Sequence, residues 1–407
     1  MIPFWTAVPF TSLLLTIAIL PVVAPHFWEA HWKKGIIVAV FSLPVFIWLI
    51  GHEPSALLHS LEEYFSFICL LGSLFVISGG ISMTGDLRAT PRVNTVFLAF
   101  GAVLANFIGT TGASMVLIRP FLRTNSERHN VRHLPVFFIF IVSNCGGLLT
   151  PLGDPPLFLG YLRGVPFFWT LKLFPFWIFM IGALLFIFYL WDRRAYRRET
   201  KKDLRIDKAR IEPIRLHGWR NLLFLGGVLY GVFLGTPWRE LLMIHMAVLS
   251  LFLGSKIARR QNRFEWGPII EVAVLFAGIF VTMVPALMLL KQHASDFGVA
   301  EPWHFFWLTG ILSGFLDNAP AYLTFFTVAE GLGLPAEIAG VTEKILIAIS
   351  VASVFMGANS YIGNGPNFMV KAIADRAGFK TPSFFRYMVY AGVVLFPLYG
   401  VIHLIFL

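Results

Sequence analysis

Long apolar runs alternate along the chain with short polar stretches, and most of these runs are long enough to cross a lipid bilayer. A helix needs ~20 mainly apolar residues to span the hydrocarbon core. Eight uninterrupted runs have about this length and predict spans at 4–24, 35–51, 64–83, 166–190, 219–236, 238–255, 267–289 and 384–406.

Four other apolar segments, 93–122, 134–160, 303–329 and 343–375, are interrupted near the middle by polar residues, glycine or proline. The interruptions read NFIGTTGAS (106–114), TPLGDPP (150–156), LDNAP (316–320) and GANSYIGNGPN (357–367). Irregular backbone at membrane depth is tolerated only where protein covers it or where it lines a wet cavity. We therefore expect the four breaks to converge on one cavity near the middle of the membrane.

The composition supports a membrane protein and excludes several other classes. Hydrophobic residues make up 57% of the 407 positions and charged residues 13%, whereas soluble domains average ~45–50% and ~25%. These values exclude a soluble enzyme, a disordered chain and a disulfide scaffold. The net charge is +10, but no soluble basic face is available, so we expect no nucleic-acid partner. Because Walker motifs, dinucleotide fingerprints and Cys/His metal spacings are missing from the sequence, we expect neither an enzyme nor a resident cofactor.

Loop charges predict how the segments cross the membrane. The stretch 191–217 holds ten Lys or Arg and five acids, and 256–263 holds four basic residues and no acid. The positive-inside rule places both in the cytoplasm. The acidic stretch 52–63 fits the outside. Basic residues flank 93–122 on both sides, so this segment should enter and return, and 303–329 should do so from outside. The count is ten crossings, two re-entrant hairpins and both termini outside.

Five crossings in each half mean that the second half runs opposite to the first, as in the inverted repeats of secondary transporters. The motifs GDPPLF (153–158) and GNGPNF (363–368) share the pattern G-[DN]-x-P-x-F. We predict a first repeat at 1–190, a basic linker at 191–217 and a second repeat at 218–407. Each repeat should hold scaffold spans, a hairpin, a broken helix and a last span, in this order. In the first repeat these are expected at 1–83, 93–122, 134–160 and 166–190. In the second they are expected at 219–289, 303–329, 343–375 and 384–406. The predicted fold class is an all-α polytopic membrane protein of two inverted-topology repeats, with two re-entrant hairpins and two broken helices.

Two acids lie in the breaks. Asp154 belongs to the 150–156 break, and Asp317 lies at the tip of the second hairpin. An ionisable residue inside a membrane is a functional hypothesis by default, because burial penalises its charged form. A proton and a cation would therefore compete for each carboxylate, which is the minimal chemistry of antiport. In the alternative interpretation each Asp caps the N-terminus of a half-helix. The two interpretations are compatible.

Neutral oxygens accompany these acids. Hard cations prefer oxygen ligands, and half-helix ends with unwound carbonyls favour them in transporters. We therefore predict Asp154 and Asp317 as Na⁺ ligands, with further oxygens from Asn144, Ser143, Thr110, Thr111, Asn318, Asn359, Ser360 and Asn364. The alternative is that these side chains make packing hydrogen bonds between helices. Arg119, on the returning arm of the first hairpin, either offsets a substrate charge or extends toward the cytoplasm along the membrane edge.

Four stretches resemble the ion transporter superfamily: GTTGASMVLIRPFLR (109–123), SNCGGLLTPLGDPPLFLGYLRGVPFFW (143–169), LDNAPAYLTFF (316–326) and ANSYIGNGPNFM (358–369). The resemblance is to its NhaD-type sodium/proton antiporters and its CitMHS-like citrate transporters. It implies a scaffold part that forms a homodimer and a transport part that moves like an elevator. It also implies Ser-Asn-Thr motifs at the hairpin tips of carboxylate transporters. Here the nearest matches are Ser143-Asn144-Cys145 and Asn359-Ser360, and neither lies at a hairpin tip.

Three functions remain open from the sequence. The leading hypothesis is exchange of Na⁺ or Li⁺ for H⁺, with Asp154 and Asp317 carrying both ions. The second is Na⁺-coupled import of citrate or a related carboxylate at the same cavity. The third is an anion or metalloid efflux permease whose ATPase partner docks on the linker 191–217. In each case we expect an integral protein of a bacterial inner membrane, in contact with lipid and with a second copy of itself.

Overall fold

The computed structural model describes residues 2–28, 30–200, 202, 203, 207, 209 and 211–406. Over these residues, seven helical segments are long and apolar enough to cross a membrane. They are Phe4–Pro21, His31–His52, Pro54–Gly79, Pro91–Thr124, Phe167–Tyr196, Gly267–Gln292 and Phe384–Phe406. The protein is therefore a polytopic membrane protein built almost entirely of α-helices, as predicted.

The α-helices are numbered in chain order. They are α1 Val8–Val23, α2 Pro25–Trp28, α3 His31–His52, α4 Pro54–Gly79, α5 Pro91–Thr124, α6 His133–Ile141, α7 Pro155–Leu162, α8 Phe174–Tyr196, α9 Arg220–Val232, α10 Trp238–Leu253, α11 Lys256–Gln261, α12 Gly267–Gln292, α13 Pro302–Phe315, α14 Asn318–Gly331, α15 Glu343–Met356, α16 Gly365–Arg376 and α17 Phe384–Phe406. Short 3₁₀ turns occur at Phe4–Ala7, Cys145–Leu149, Phe167–Leu173, Ala294–Phe297 and Gly357–Asn359.

The outer surface carries large apolar side chains where a soluble protein would carry polar ones. Val40 on α3, Phe252 on α10 and Leu404 on α17 are exposed over 61%, 79% and 81% of their surface. The interior is a continuous apolar core shared by both halves of the chain. Exposed apolar surface on this scale marks a membrane contact, so these side chains face lipid.

Two helices are shorter than the sequence indicates. The predicted spans 219–236 and 238–255 are helical only over Arg220–Val232 and Trp238–Leu253, which have 13 and 16 residues. At 1.5 Å per residue these helices are about 20 and 24 Å long, less than the ~30 Å hydrocarbon core. Gly235 and Pro237 end the first helix early, because neither residue favours a helix interior.

A small β-ribbon lies where only a loop was expected. Strand β1, Ser82–Asp86, pairs antiparallel with strand β2, Glu212–His217, with Ser82 opposite His217. Apolar Ile214 and Leu216 alternate with polar neighbours, which is the two-residue period of a strand. The ribbon ties the end of the linker to the chain after α4. Residues 201, 204–206, 208 and 210 of the predicted linker lie outside the described residues.

The helix α5 is a hairpin rather than a straight rod. A straight helix would separate Asn94 from Asn125 by about 46 Å. Instead the two amide groups exchange hydrogen bonds of 2.9 Å, and the rings of Phe97 and Phe121 lie 5.3 Å apart. The chain reverses at Gly109, whose φ of 74° and ψ of 157° suit glycine because it has no Cβ. Segment 93–122 therefore enters and returns, as predicted.

The second hairpin and the two broken helices also occur where the sequence indicates. Helices α13 and α14 pack together and are joined at the tip by Leu316 and Asp317. The first broken helix consists of α6, a 3₁₀ turn and α7, and the second of α15, a 3₁₀ turn and α16. Each broken helix brings two glycine backbones into close contact, Gly147 with Gly153 and Gly357 with Gly363. The exact boundaries of the two repeats stay predictions.

Candidate functional site

The four breaks meet at one place. The backbone N–H of Thr110, at the tip of the first hairpin, donates to the carbonyl of Gly153 in the first broken helix at 2.8 Å. Asn318, at the start of the second hairpin's returning helix, donates its amide to the Asp154 carboxylate. Asn364, from the second broken helix, also donates to Asp154. Both halves of the chain thus contribute to one buried polar centre.

Asp154 is the centre of this arrangement. Its side chain is 1% exposed. Its Oδ1 accepts hydrogen bonds from Thr110 Oγ1 at 2.8 Å and from Asn364 Nδ2 at 3.1 Å, while Oδ2 accepts from Asn318 Nδ2. Within the described part of the chain these three partners are all neutral. Neutral donors favour the ionised carboxylate, but they leave its negative charge without a compensating cation.

Asp154 does not cap the helix that it precedes. It occupies the N-cap position of α7, yet its side chain makes no capping hydrogen bond. The next two residues are Pro155 and Pro156, which have no backbone N–H to donate. The carboxylate is therefore available to the site, and the capping interpretation fails for this residue.

Asp317 is different, because here the capping interpretation holds. Its Oδ1 accepts from the backbone N–H of Ala319 at 3.1 Å, so the half-buried carboxylate caps α14. The next residue, Asn318, donates to Asp154, so the two acids belong to the same region of the structure. A cap can also line a site, and Asp317 brings a second acid to the same region.

An unsatisfied oxygen lies beside the two acids. Asn318 Oδ1 is buried and has no hydrogen-bond partner among the residues that the structure describes, while the amide nitrogen of the same side chain donates to Asp154. A buried acceptor without a partner is costly. Together with the carboxylates it gives oxygen atoms of the kind that hard cations bind. Over the described residues, no three His, Cys, Asp or Glu side chains come together as a metal cluster.

Asn144 and Asn364 link the two broken helices next to this centre. Asn364 Nδ2 lies 3.2 Å from Asn144 Oδ1, and Asn144 Nδ2 donates to Asn367 Oδ1 at 2.7 Å. Asn367 in turn donates to the carbonyls of Gly357 and Ser360 at 2.9 Å each. Asn144 thus lies one hydrogen bond away from the residues that contact Asp154. Asn367 was not singled out from the sequence, although it is the last residue of the interruption 357–367.

Four predicted residues make no described side-chain hydrogen bond to the two carboxylates. Ser143 shares a hydrogen bond of 2.8 Å with Ser114, and Ser360 donates to the Gly314 carbonyl at 2.6 Å. Asn359 accepts from Tyr399 at 3.0 Å. These three side chains hold helices together, as their alternative interpretation stated. Thr111 is half-buried, and no hydrogen bond described for its side chain reaches the carboxylates.

Asn106 is a second residue that the sequence did not reveal. Its Nδ2 donates to the Gly146 carbonyl at 2.7 Å, and its Oδ1 accepts from the Leu149 N–H at 2.8 Å. Its backbone carbonyl accepts from Thr150 Oγ1. Buried backbone N–H and C=O groups must be paired. Asn106, from the first hairpin, pairs such groups at the break of the first broken helix. Asn106 is the first residue of the interruption NFIGTTGAS (106–114). This position was the feature of the sequence that could have identified it.

Helices long enough to cross a membrane, with a buried polar site where shorter helices are broken, define the class: a polytopic α-helical membrane protein. The chain belongs to the CitMHS_2 family, described as "Putative citrate transport", and the family model matches residues 1–407. No curated protein matches the chain in sequence. The resemblance to the citrate transporter group is therefore confirmed, and the protein is an integral membrane protein of a transport family.

Proposed function

We propose that the protein is a secondary active transporter that exchanges Na⁺ or Li⁺ for H⁺ at Asp154 and Asp317. The observation that carries this proposal is the environment of Asp154. A carboxylate that is 1% exposed is held by three neutral donors from three other breaks, beside an unpaired amide oxygen.

Exchange follows from the energetics of burial. An ionised carboxylate away from water is costly unless a cation neutralises it. A proton on Asp154 removes the charge, and a Na⁺ beside it offsets the charge. Since either ion relieves the same penalty, binding of one favours release of the other. Asn318 Oδ1 and the Asp317 carboxylate would supply further oxygens to Na⁺.

The arrangement also fits alternating access. The ligands come from four separate segments, so a movement of the hairpins and broken helices relative to the other spans would carry the whole site with it. We propose the elevator movement, the homodimer through the scaffold spans, the cytoplasmic linker 191–217 and the bacterial inner membrane as parts of this mechanism. Their support is the family resemblance and the charge of the loops.

Na⁺-coupled transport of citrate is the second candidate, and the description of the family favours it. In this case Asp154 and Asp317 would bind the coupling Na⁺. A tricarboxylate placed directly against the two acids would be repelled. The citrate function therefore requires cationic groups elsewhere on the pathway. For the third hypothesis, an efflux permease with an ATPase partner, no specific observation is available.

The two candidates are distinguished by the ion that moves. Everted vesicles from cells that express the protein are energised, and a pH-sensitive dye follows the proton gradient as Na⁺, Li⁺, K⁺ or citrate is added. Na⁺ and Li⁺ should dissipate the gradient in the wild type and fail to do so in Asp154→Asn. The control Asp296→Asn, which removes an exposed acid, should behave as wild type. Citrate uptake without any response to these cations would overturn the exchange proposal.

A further inference from the structure

Four arginines lie together on one face at the end of α8. Arg193, Arg194, Arg197 and Arg198 are all exposed, and none of them forms an ion pair within the part of the chain that the structure describes. The helical backbone continues to Arg197, whose N–H donates to the Arg193 carbonyl at 3.2 Å. At about 100° per residue the four side chains cover an arc of about 140° around the helix.

The two acids of the same stretch lie on the opposite face, where groups inside the protein use their charge. The Asp192 carboxylate is fully buried, accepts from Arg128 at 2.6 Å and lies 2.9 Å from His133 Nε2. Glu199 accepts from two backbone N–H groups of the loop before α6, at 3.1 and 2.7 Å. The acids therefore do not neutralise the arginine face, although they are close to it in the sequence.

The arginine face continues the lipid-facing side of α8. Phe186 and Leu190 are exposed apolar residues on this side of the helix, and such residues face lipid. Arg193 and Arg194 follow Leu190 by three and four residues, and Arg197 follows Arg193 by four. Residues with this spacing share one face of a helix. The arginines therefore lie at the level of the headgroups of those lipids whose chains contact Phe186 and Leu190.

Helix α17 adds an arginine at the same level. The ring of Phe176, near the start of α8, lies 4.8 Å from that of Phe406 at the end of α17. The ring of Trp191 lies 5.7 Å from that of Tyr390, near the start of α17. The two helices therefore run antiparallel. Arg386, which is exposed and lies one turn before Tyr390, is level with the arginines that follow Trp191.

We propose that this arginine surface binds the phosphate groups of anionic phospholipids in the membrane leaflet next to the linker. Its members are Arg193, Arg194, Arg197 and Arg198 of α8 with Arg386 of α17. Guanidinium groups bind phosphates through paired hydrogen bonds, and basic residues directly beyond a membrane span attract anionic headgroups. A free anion or an acidic protein would match the charge, but only a lipid also covers the apolar residues that lead into this surface. The inference goes beyond the proposed function and does not depend on which ion moves.

The test measures lipid binding to the full-length protein. Delipidated protein in a neutral detergent is titrated with phosphatidylglycerol or phosphatidylcholine of identical acyl chains, and native mass spectrometry counts the bound lipids. The wild type should bind phosphatidylglycerol at least about tenfold more tightly, because each basic residue near a headgroup is worth about fivefold in affinity. Arg193→Gln combined with Arg197→Gln should lose most of this preference.

Two control variants separate this surface from net charge and from folding. Arg123→Gln combined with Arg215→Gln removes the same charge from two exposed arginines that line a cleft beside the β-ribbon. Arg193→Lys combined with Arg197→Lys alters the same two positions but keeps their charge. Both double variants should retain the preference for phosphatidylglycerol.

Equal affinity of the wild type for the two lipids would overturn the proposal. The same loss of preference in the Arg123 and Arg215 control would also overturn it, because net charge would then be the cause. Inorganic phosphate and polyglutamate are titrated in parallel. If either binds the wild type and not the Arg193 and Arg197 glutamine variant, while the lipids bind equally, the surface belongs to a free anion or an acidic protein and the proposal fails.

Discussion

The first and second broken helices have the same backbone conformation at their breaks but differ in the charge of one residue. Here, the first and second breaks are those of these two broken helices. In the first, a Cβ on Gly153 would overlap the carbonyl oxygen of Gly147, and in the second a Cβ on Gly363 would lie 2.6 Å from that of Gly357. The same tight turn therefore recurs 210 residues later. The next residue is Asp154 in the first break and asparagine in the second.

This difference shows how one site is built from two similar halves. Asn364 donates its amide to Asp154 at 3.1 Å. If both positions carried acids, two carboxylates would lie at that distance, and they could not both ionise. One repeat supplies the charge and the other supplies a neutral donor to it. The pair of broken helices therefore contributes one ionisable group at this place rather than two that would repel each other.

The largest effect is expected from exchanging the two residues. Asp154→Asn should reduce cation-dependent proton flux to background, because the carboxylate that the other three breaks hold is then lost. Asp154→Asn combined with Asn364→Asp restores one carboxylate, on the other side of the same hydrogen bond, and should recover part of the flux. Flux in vesicles at equal protein amount is the measurement. Full activity in Asp154→Asn alone would contradict the central role of this acid.

The next largest effect concerns the shared turn. Gly153→Ala and Gly363→Ala both force a Cβ against backbone, and overpacking of this kind costs ~1–3 kcal/mol or more. Thermal unfolding of the purified protein should show lower transition temperatures for both. Gly365→Ala is the matched control, because its Cβ would meet no atom within 4 Å. If Gly365→Ala destabilises as much as the other two, the close approach is not the cause.

The breaks themselves could be predicted from the sequence, because polar residues, glycine and proline inside an apolar run indicate that the helix is interrupted there. Asp154 and Asp317 were found for the same reason. Pro155 and Pro156 have no N–H, so a cap by Asp154 could use only the N–H of Leu157, and the structure shows that the side chain makes no such bond. The capping role of Asp317 needs the actual hydrogen bond.

Other features depend on three-dimensional contacts. Asn106 and Asn367 matter because they pair particular unwound carbonyls, and sequence does not show which carbonyls lack partners. The β-ribbon follows from strand pairing between segments far apart in the chain. Apolar length alone overestimated the two spans 219–236 and 238–255.

A moderate effect is expected from the asparagines that pair the two breaks. Asn367→Ala removes the donor to the Gly357 and Ser360 carbonyls of the second broken helix. Asn106→Ala removes the acceptor of the Leu149 N–H and one of the two donors to the Gly146 carbonyl in the first. Each unsatisfied buried group costs ~1–3 kcal/mol. Denaturation in detergent should show both variants destabilised by similar amounts. A loss in only one of them would mean that the two breaks are not supported equivalently.

The smallest effect is expected from a carbonyl that has one side-chain donor in the second broken helix, where a carbonyl of the first has two. In the first break the Gly146 carbonyl accepts from both Asn106 and Trp177, while in the second the Ala358 carbonyl accepts from Tyr387 at 2.9 Å. Tyr387→Phe removes this hydroxyl group and should lower stability by ~1 kcal/mol, the net worth of a typical hydrogen bond. Thermal unfolding measures the change, and Tyr230→Phe, which alters an exposed ring, should leave the transition where it is. An unchanged transition in Tyr387→Phe would mean that the Ala358 carbonyl finds another donor, and the second break would then be as well supported as the first.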